Sequence, residues 1–420
     1  MKILFIHPNM PGQYKHHCRV LAADKNNQVV FITKPKSLEI PNVHKVEYKM
    51  PRDAVATTHR YLIGTERAVL QGQEVWRVCK ALKEREGFVP DVICAHPGWG
   101  DALFIKDIYP DSALLNFFEF YYQSHGSDVN FDKEYSPASL DDEARVRIKN
   151  ITNILSLESA DWGISPTFWQ KSVHPIEFQS KISVLHDGID TEYCHPDAQA
   201  EIVLPSGKVF RAGDKVVTYI ARNFEPYRGF PTFMRAAELL LKERSDVHII
   251  AVGADEVSYG RKLGKGNTWR EEMLKTVKLD MERVHFTGVL SYAQLIKLFQ
   301  ISAAHIYLTY PFVLSWSMLE SMASGVAMIA SSTSPVLEVI EHGKNGLLVD
   351  FFSPQDLVEK ICSVLDHPDG MQEMRNQARK TVQNRYDLQK LMPLHVALIG
   401  DLAEKRLPPP TNAKIEQLYL

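Results

Sequence analysis

Cysteine is scarce in this chain, and it comes in no pairs. The five cysteines, Cys18, Cys79, Cys94, Cys194 and Cys362, are scattered and form no C-x-x-C. An odd, dispersed set argues against a disulfide framework or a zinc site and fits a reducing compartment. Excess charge is lacking too. Against 51 acidic residues stand 48 Lys and Arg, a net charge of −3, so no global basic field points to nucleic acid. No stretch reaches the run of about eighteen apolar residues a spanning helix needs. The apolar start, Met1–His7, is too short for a signal-peptide core. No low-complexity tract or short-period repeat occurs, and only the tail from Pro408 reads as loosely ordered. What remains is ordinary for a soluble globular protein, 45% hydrophobic and 24% charged. At 420 residues it has room for two or three domains with large cores.

The most informative stretch runs from Ala304 to Val349. His305–Tyr310 is a short apolar run ending at Pro311, which predicts a buried parallel strand. After the loop Pro311–Trp316, Ser317-Met318-Leu319-Glu320 has the form of a capping box. Ser317 is expected to cap a helix, and Glu320 to reach back to the Ser317 amide. Gly325 is expected to end that helix. Val326–Ala330 reads as the next strand, Pro335–His342 as a short helix, and Leu347–Val349 as a strand. This alternation is that of a doubly wound α/β sheet. Ligands lie beyond the carboxyl ends of such strands, and a helix start there favours phosphate.

Upstream, Ile3–Ile6, Gln28–Thr33, Val92–Ala95, Ala113–Phe117, Trp162–Ser165 and Ile182–Leu185 read as strands of another parallel sheet. Pro8–Gln13 is the first strand–helix loop, where Gly12 would let a backbone approach a ligand closely. His96 follows a strand inside His96-Pro-Gly-Trp-Gly100, and such strand ends gather site residues. Glu119 sits among Phe117, Phe118, Phe120, Tyr121 and Tyr122, an odd setting for a solvated surface carboxylate. Asp128–Ser136 is polar and reads as a mobile loop over the site.

Pro196–Gly213 is turn-rich, with a hairpin of Ile202–Leu204 against Lys208–Arg211, and the domain boundary is expected here. Val216–Ile220 then opens a second sheet. Arg222 and Arg228 flank the loop that follows it, ahead of a helix Pro231–Leu241. A departing diphosphate needs fixed positive charge, and arginine offers a planar fork for phosphate oxygens. Gly253 follows the strand His248–Val252, and Arg261–Lys275 reads as an exposed insert. Leu391–Glu404 reads as a final amphipathic helix.

Leu319–Val349, LESMASGVAMIASSTSPVLEVIEHGKNGLLV, resembles the donor-binding segment of the retaining glycosyltransferases of family 4. That segment reads E-G-F-G-L-P-x-L-E-A-M-A-x-G-x-P-V-V-A-S, then P-E-V-V and N-G-L-L-V. Its two glutamates stand eight positions apart. Glu320 matches the second, but Phe312 occupies the place of the first. The resemblance implies a GT-B fold, with two Rossmann-like domains facing a central cleft and the last helix crossing back to the first domain. It implies an acceptor domain over 1–200, a donor domain over 201–390, and the crossover helix and tail over 391–420.

It also implies transfer of a sugar from a nucleotide diphosphate sugar, with retention, to a saccharide, lipid-linked or other hydroxyl acceptor in polysaccharide or glycoconjugate synthesis. Arg222 and Arg228 would take the diphosphate, Glu320 the ribose, and the Ser317, Met318 and Leu319 amides the phosphate. Gly12, Gly253 and Val289, the last within the F-x-G-x-V-like segment Phe286–Leu290, would complete the donor site. Glu119 would act at the acceptor, with His96 and His125 nearby. Neither a metal nor a cofactor is expected. The location implied is cytoplasmic, with room for peripheral contact at a membrane. A nucleotide-sugar epimerase or a non-catalytic sugar-nucleotide-binding protein would share the scaffold.

Overall fold

The computed structural model describes residues 1–264 and 266–406, so the tail from Pro408 lies outside the described residues. It contains two α/β units. Among the described residues one comprises Met1–Ser124, Ala138–Gly188 and 388–406; the other comprises His125–Pro137 and Ile189–Asp387.

The first unit is built on seven parallel strands: β1 (Lys2–Ile6), β2 (Gln28–Thr33), β3 (Val43–Glu47), β4 (Val92–Ala95), β5 (Ala113–Phe117), β6 (Trp162–Ser165) and β7 (Ile182–Val184), in the order β3-β2-β1-β4-β5-β6-β7. The order reverses at β1, between β2 and β4, which makes the β1 and β4 ends a switch point of the kind that gathers ligands. Alternate residues of β1 serve opposite faces, as strand geometry requires. Ile3 and Phe5 join a core with Val29, Phe31 and Leu115, whereas Leu4 and Ile6 join one with Val30, Val75, Cys79 and Leu82. Val75, Cys79 and Leu82 lie on the long helix Ile63–Glu86, which ends at left-handed Gly87 with φ +62°. The last helix, Leu388–Ala403, closes the other face through Leu391, Leu398, Ile399 and Leu402.

In the second unit a short antiparallel hairpin, β8 (Glu201–Val203) and β9 (Val209–Arg211), precedes a six-stranded parallel sheet. Its strands are β10 (Val216–Asn223), β11 (His248–Ala254), β12 (Val284–Phe286), β13 (Ala304–Tyr307), β14 (Ala327–Ser331) and β15 (Leu347–Val349), in the order β12-β11-β10-β13-β14-β15. The hairpin belongs to this unit because Ile202, Leu204 and Phe210 pack with Val216, Ile250 and Leu298.

Several expectations are corrected. The boundary expected at 200/201 falls at 188/189, and the return to the first unit falls at 387/388. Residues 191–194 belong to the second unit because the Arg379 guanidinium donates to the carbonyls of Thr191 and Cys194. The helix expected over Pro335–His342 is one short turn, Ser334–Leu337.

Asp128–Ser136, expected as a mobile loop, is anchored on the second unit. Tyr227 donates to Asp128 at 2.7 Å, Tyr310 to Asp132 at 2.8 Å, and Arg235 pairs with Glu134. Phe131 meets the rings of Tyr310, Phe351 and Phe352. Three phenol or guanidinium donors and an aromatic nest fix a segment whose polarity alone suggests a free loop.

Candidate functional site

In the first unit the carboxyl ends of β1, β4 and β5 bring four polar side chains together. His7 directly follows β1, His96 directly follows β4, and Glu119 stands two residues past β5. The fourth, Gln13, comes from the 3₁₀ turn Gly12–Tyr14. His7 Nε2 lies 2.9 Å from Gln13 Oε1, and Gln13 Nε2 donates to Glu119 Oε1 at 3.0 Å. His96 Nε2 is 3.5 Å from Glu119 Oε2. Both histidines are buried, and their rings lie against each other and against Trp99.

The Glu119 side chain keeps 34% exposure. Burial alone would raise its pKa, but His96, His7 and the Gln13 bond more than offset that, and the net shift is downward. His7 is pushed down to about 3, first by burial and then by His96.

Gly12, predicted to approach a donor, sits against His7. Its φ is +51°, and a Cβ there would lie 2.5 Å from the His7 ring. His125 is exposed and belongs to the second unit, not to this cluster.

In the second unit Arg228 ends a 3₁₀ turn, Pro226–Arg228, closed by left-handed Gly229. Its Nη1 donates to Thr309 Oγ1 at 2.7 Å, Tyr307 Oη at 3.1 Å and the Val313 carbonyl at 3.2 Å. Its guanidinium also faces the Tyr259 and Tyr307 rings. Among the described residues it has no ion pair. Burial would lower its pKa, but the neighbouring tyrosines and Glu225 outweigh this and raise it, so the cation is secure. The Tyr307 hydroxyl that accepts from Arg228 also accepts from the Ser315 amide at 2.9 Å. One hydroxyl thus joins the guanidinium to the start of the helix Trp316–Ala323.

That helix start corrects the predicted capping box. The cap is Ser315, whose Oγ accepts from the Ser317 amide at a long 3.4 Å, and the Ser315 carbonyl takes the Met318 amide at 3.2 Å. Two serines two residues apart can each offer a hydroxyl, and the chain turns helical after the first. Met318 and Leu319 are fully buried by their side chains. Glu320 does not reach back to Ser317. Its Oε1 accepts from Tyr292 at 2.9 Å, and the Tyr292 ring stacks on Tyr193. Phe312 is 5% exposed and packs on Tyr227 and Tyr259.

Arg222 is exposed, in the stretch where β10 carries one extra residue relative to β11 between Ile220 and Asn223, a bulge of the kind that re-aims side chains. No hydrogen bond or ion pair ties it to another predicted residue. Gly253, expected just past a strand, lies within β11, and a Cβ there would crowd Phe224. Its amide donates to the Gly288 carbonyl at 3.1 Å, next to exposed Val289. The structure therefore joins Arg228 to the 313–317 turn, Gly253 to Gly288–Val289, and His96 to Glu119.

Several participants escape sequence reasoning. Glu225 is 1% exposed, and its carboxylate receives the successive amides of Ser258, Tyr259 and Gly260. Tyr307, Thr309, Tyr292 and Gln13 act through contacts distant in sequence. Only His7, by its place at a strand's carboxyl end, carried a signal that could have found it. A cavity of about 420 Å³ lies at the opposite end of the second sheet, against Lys215, Ala303 and Arg375, and touches none of the predicted residues.

Comparison with known proteins agrees with this architecture. Residues 25–194 match the family model "Glycosyl transferase family 4 group", and residues 206–381 match "Glycosyl transferases group 1". Spore coat protein SA of Bacillus subtilis is 20% identical over 219 residues, 51% of this chain and 57% of that protein. The chain spans just over half the length of the curated relatives it matches. Among solved structures, sucrose-phosphate synthase from Thermosynechococcus elongatus superposes with a TM-score of 0.72 at 18% identity, over 96% of this chain and 100% of that one. Anabaena Alr3699/HepE in complex with UDP-glucose gives 0.67 at 16% identity, with the same coverage.

Proposed function

We propose that this chain, whose residues 25–194 and 206–381 match two glycosyl transferase family models and whose fold is that of GT-B enzymes, moves a sugar from a nucleotide diphosphate sugar to a hydroxyl acceptor, with retention at the anomeric carbon. A saccharide or a lipid-linked sugar is the acceptor class, in polysaccharide or glycoconjugate synthesis. The observation that carries this reading is the shared Tyr307 hydroxyl, which puts a guanidinium with no ion pair among the described residues beside the start of an eight-residue helix. A cation and helix amides together suit a diphosphate.

In this reading the bond from the anomeric carbon to the phosphate oxygen breaks while Arg228, with Arg222, takes up the charge that develops. The acceptor oxygen bonds to the same carbon, and its proton passes to the departing phosphate. The Ser317 amide, held at a long 3.4 Å, can exchange its serine for a phosphate oxygen, with the Met318 and Leu319 amides behind it. Glu320 lies one turn further on, for the ribose. Gly253 and Val289 border the nucleobase side. Glu119 and His96 serve the acceptor, with Gly12 supporting them through His7; no role is kept for His125. Phe312 leaves no carboxylate at the sugar, so the donor hexose is met by other contacts.

No metal or cofactor is invoked. Among the described residues no helix is long and apolar enough to cross a membrane. The test is a thermal-shift screen of UDP, GDP and ADP and their glucose or mannose conjugates, since a ligand stabilises in proportion to its occupancy. One nucleotide family should raise Tm, and UDP-glucose, the ligand of HepE, is the first donor to try. No shift with any of them would contradict the proposal.

A further inference from the structure

We propose that His7 and Gln13 are positioning residues that hold Glu119 as an acceptor-only carboxylate, so that the group it meets must donate a hydrogen bond, as a neutral hydroxyl does. Only the last clause rests on the reading of Glu119 as an acceptor-side residue.

The Asn9 amide can only donate, and it lies 2.9 Å from His7 Nδ1. Nδ1 therefore carries a lone pair, and the neutral ring has its proton on Nε2. That N–H points at Gln13 Oε1, 2.9 Å away. The other end of the same amide, its NH₂, is then the group 3.0 Å from Glu119 Oε1. Turning the amide over would set oxygen against carboxylate and N–H against N–H. A single backbone amide thus fixes the ring tautomer, the amide orientation and one oxygen of Glu119.

The second oxygen is served the same way. The Gly98 amide donates to His96 Nδ1 at 3.2 Å, which puts the His96 proton on Nε2. That buried nitrogen has no hydrogen-bond partner, and the Glu119 Oε2 it faces is 3.5 Å away. Each carboxylate oxygen therefore looks at an N–H supplied from a different strand end.

No other charged group stands within ion-pair distance of Glu119 among the described residues. The remaining polar neighbour, Gln170, donates to its main-chain carbonyl at 2.7 Å. Gly12 belongs to the device, because any side chain there would meet the His7 ring at 2.5 Å. A carboxylate held in this way accepts and cannot donate. At its open edge a hydroxyl is attracted, and an acidic substituent is repelled.

Two NMR measurements on the full chain test this without a nucleotide sugar. Long-range ¹H–¹⁵N correlation of histidine-labelled protein, assigned with His7→Phe and His96→Phe, should show the Nε2–H tautomer for both rings at pH 7. His7 should stay unprotonated down to pH 5. An Nδ1–H tautomer, or a His7 that titrates near its ordinary value, would overturn the proposal.

The second measurement follows the Glu119 side-chain carboxyl ¹³C signal, assigned with Glu119→Gln. Its midpoint should lie below that of an ordinary glutamate. It should rise by about one pH unit, tenfold in the acid constant, in Gln13→Leu, and further in Gln13→Glu, where two carboxylates compete. A midpoint unmoved in both variants overturns the proposal. Failure of every nucleotide to bind would count against the glycosyltransferase mechanism and leave these two readings intact.

Discussion

The two polar clusters sit at equivalent places, the carboxyl ends of parallel strands, yet they handle charge in opposite ways. In the first unit one carboxylate faces an amide N–H and an imidazole N–H, with no Lys or Arg in ion-pair range among the described residues. In the second, one guanidinium is surrounded by hydroxyls, a carbonyl and aromatic faces, with no carboxylate at ion-pair distance among the described residues. Each charge is positioned by neutral partners and so is not cancelled. A salt bridge would have fixed the same side chains but spent their fields on each other. Uncancelled charge of opposite sign suits two different ligands, an anion at Arg228 and a hydrogen-bond donor at Glu119.

Breaking each charge should separate the two roles. Arg228→Ala should cut turnover by about ten- to a thousandfold, the scale for losing one charge-stabilising donor, and should weaken the nucleotide-induced Tm shift. Glu119→Gln should leave that Tm shift intact while lowering transfer. Parallel loss of donor binding in both variants would mean that the clusters are not distinct.

A smaller effect is expected from placing a glutamate at position 312, where the resemblance noted in the sequence would put one. Phe312→Glu places a carboxylate between Tyr227 and Tyr259 at a site 5% exposed. It should destabilise the protein by about 3 kcal/mol, the scale for an uncompensated buried charge, read as a fall in Tm at neutral pH that shrinks as the carboxyl is protonated in acid. The smallest contrast concerns the helix beside Arg228. Ser315→Ala should cost about 1 kcal/mol as a lost cap, and Ser317→Ala less than half of that, by chemical denaturation. The reverse ranking would restore the capping box expected from sequence.

Much of the fold was legible because parallel strands buried on both faces read as apolar runs. Ile3–Ile6, Val92–Ala95 and Ala113–Phe117 fall where such runs stand. The edge strand Val43–Glu47 was not legible, since its residues are half-exposed or exposed and their pattern is weak. At the site, charge was legible and its setting was not. Glu119 stood out among aromatics, and Arg228 stood out before a glycine. The hydroxyls that hold Arg228 come from Tyr307 and Thr309, some eighty residues away. Gln13 reaches Glu119 across 106 positions. Contacts of that span leave no periodicity behind. The misplaced cap has a different origin, because two serines satisfied the same local rule and only the path of the loop chose between them.

The excursion of residues 125–137 bears on how the protein can be divided. The chain passes between its two units at 124/125, 137/138, 188/189 and 387/388, so no single cut separates them. A fragment of residues 189–387 would lack the segment that covers Tyr227, Tyr310 and Phe351. It would offer those rings to water and to other copies of itself. A self-sufficient second half needs 125–137 spliced back, and a limited-proteolysis nick in that segment would sever a part of the second unit that no neighbouring sequence can replace.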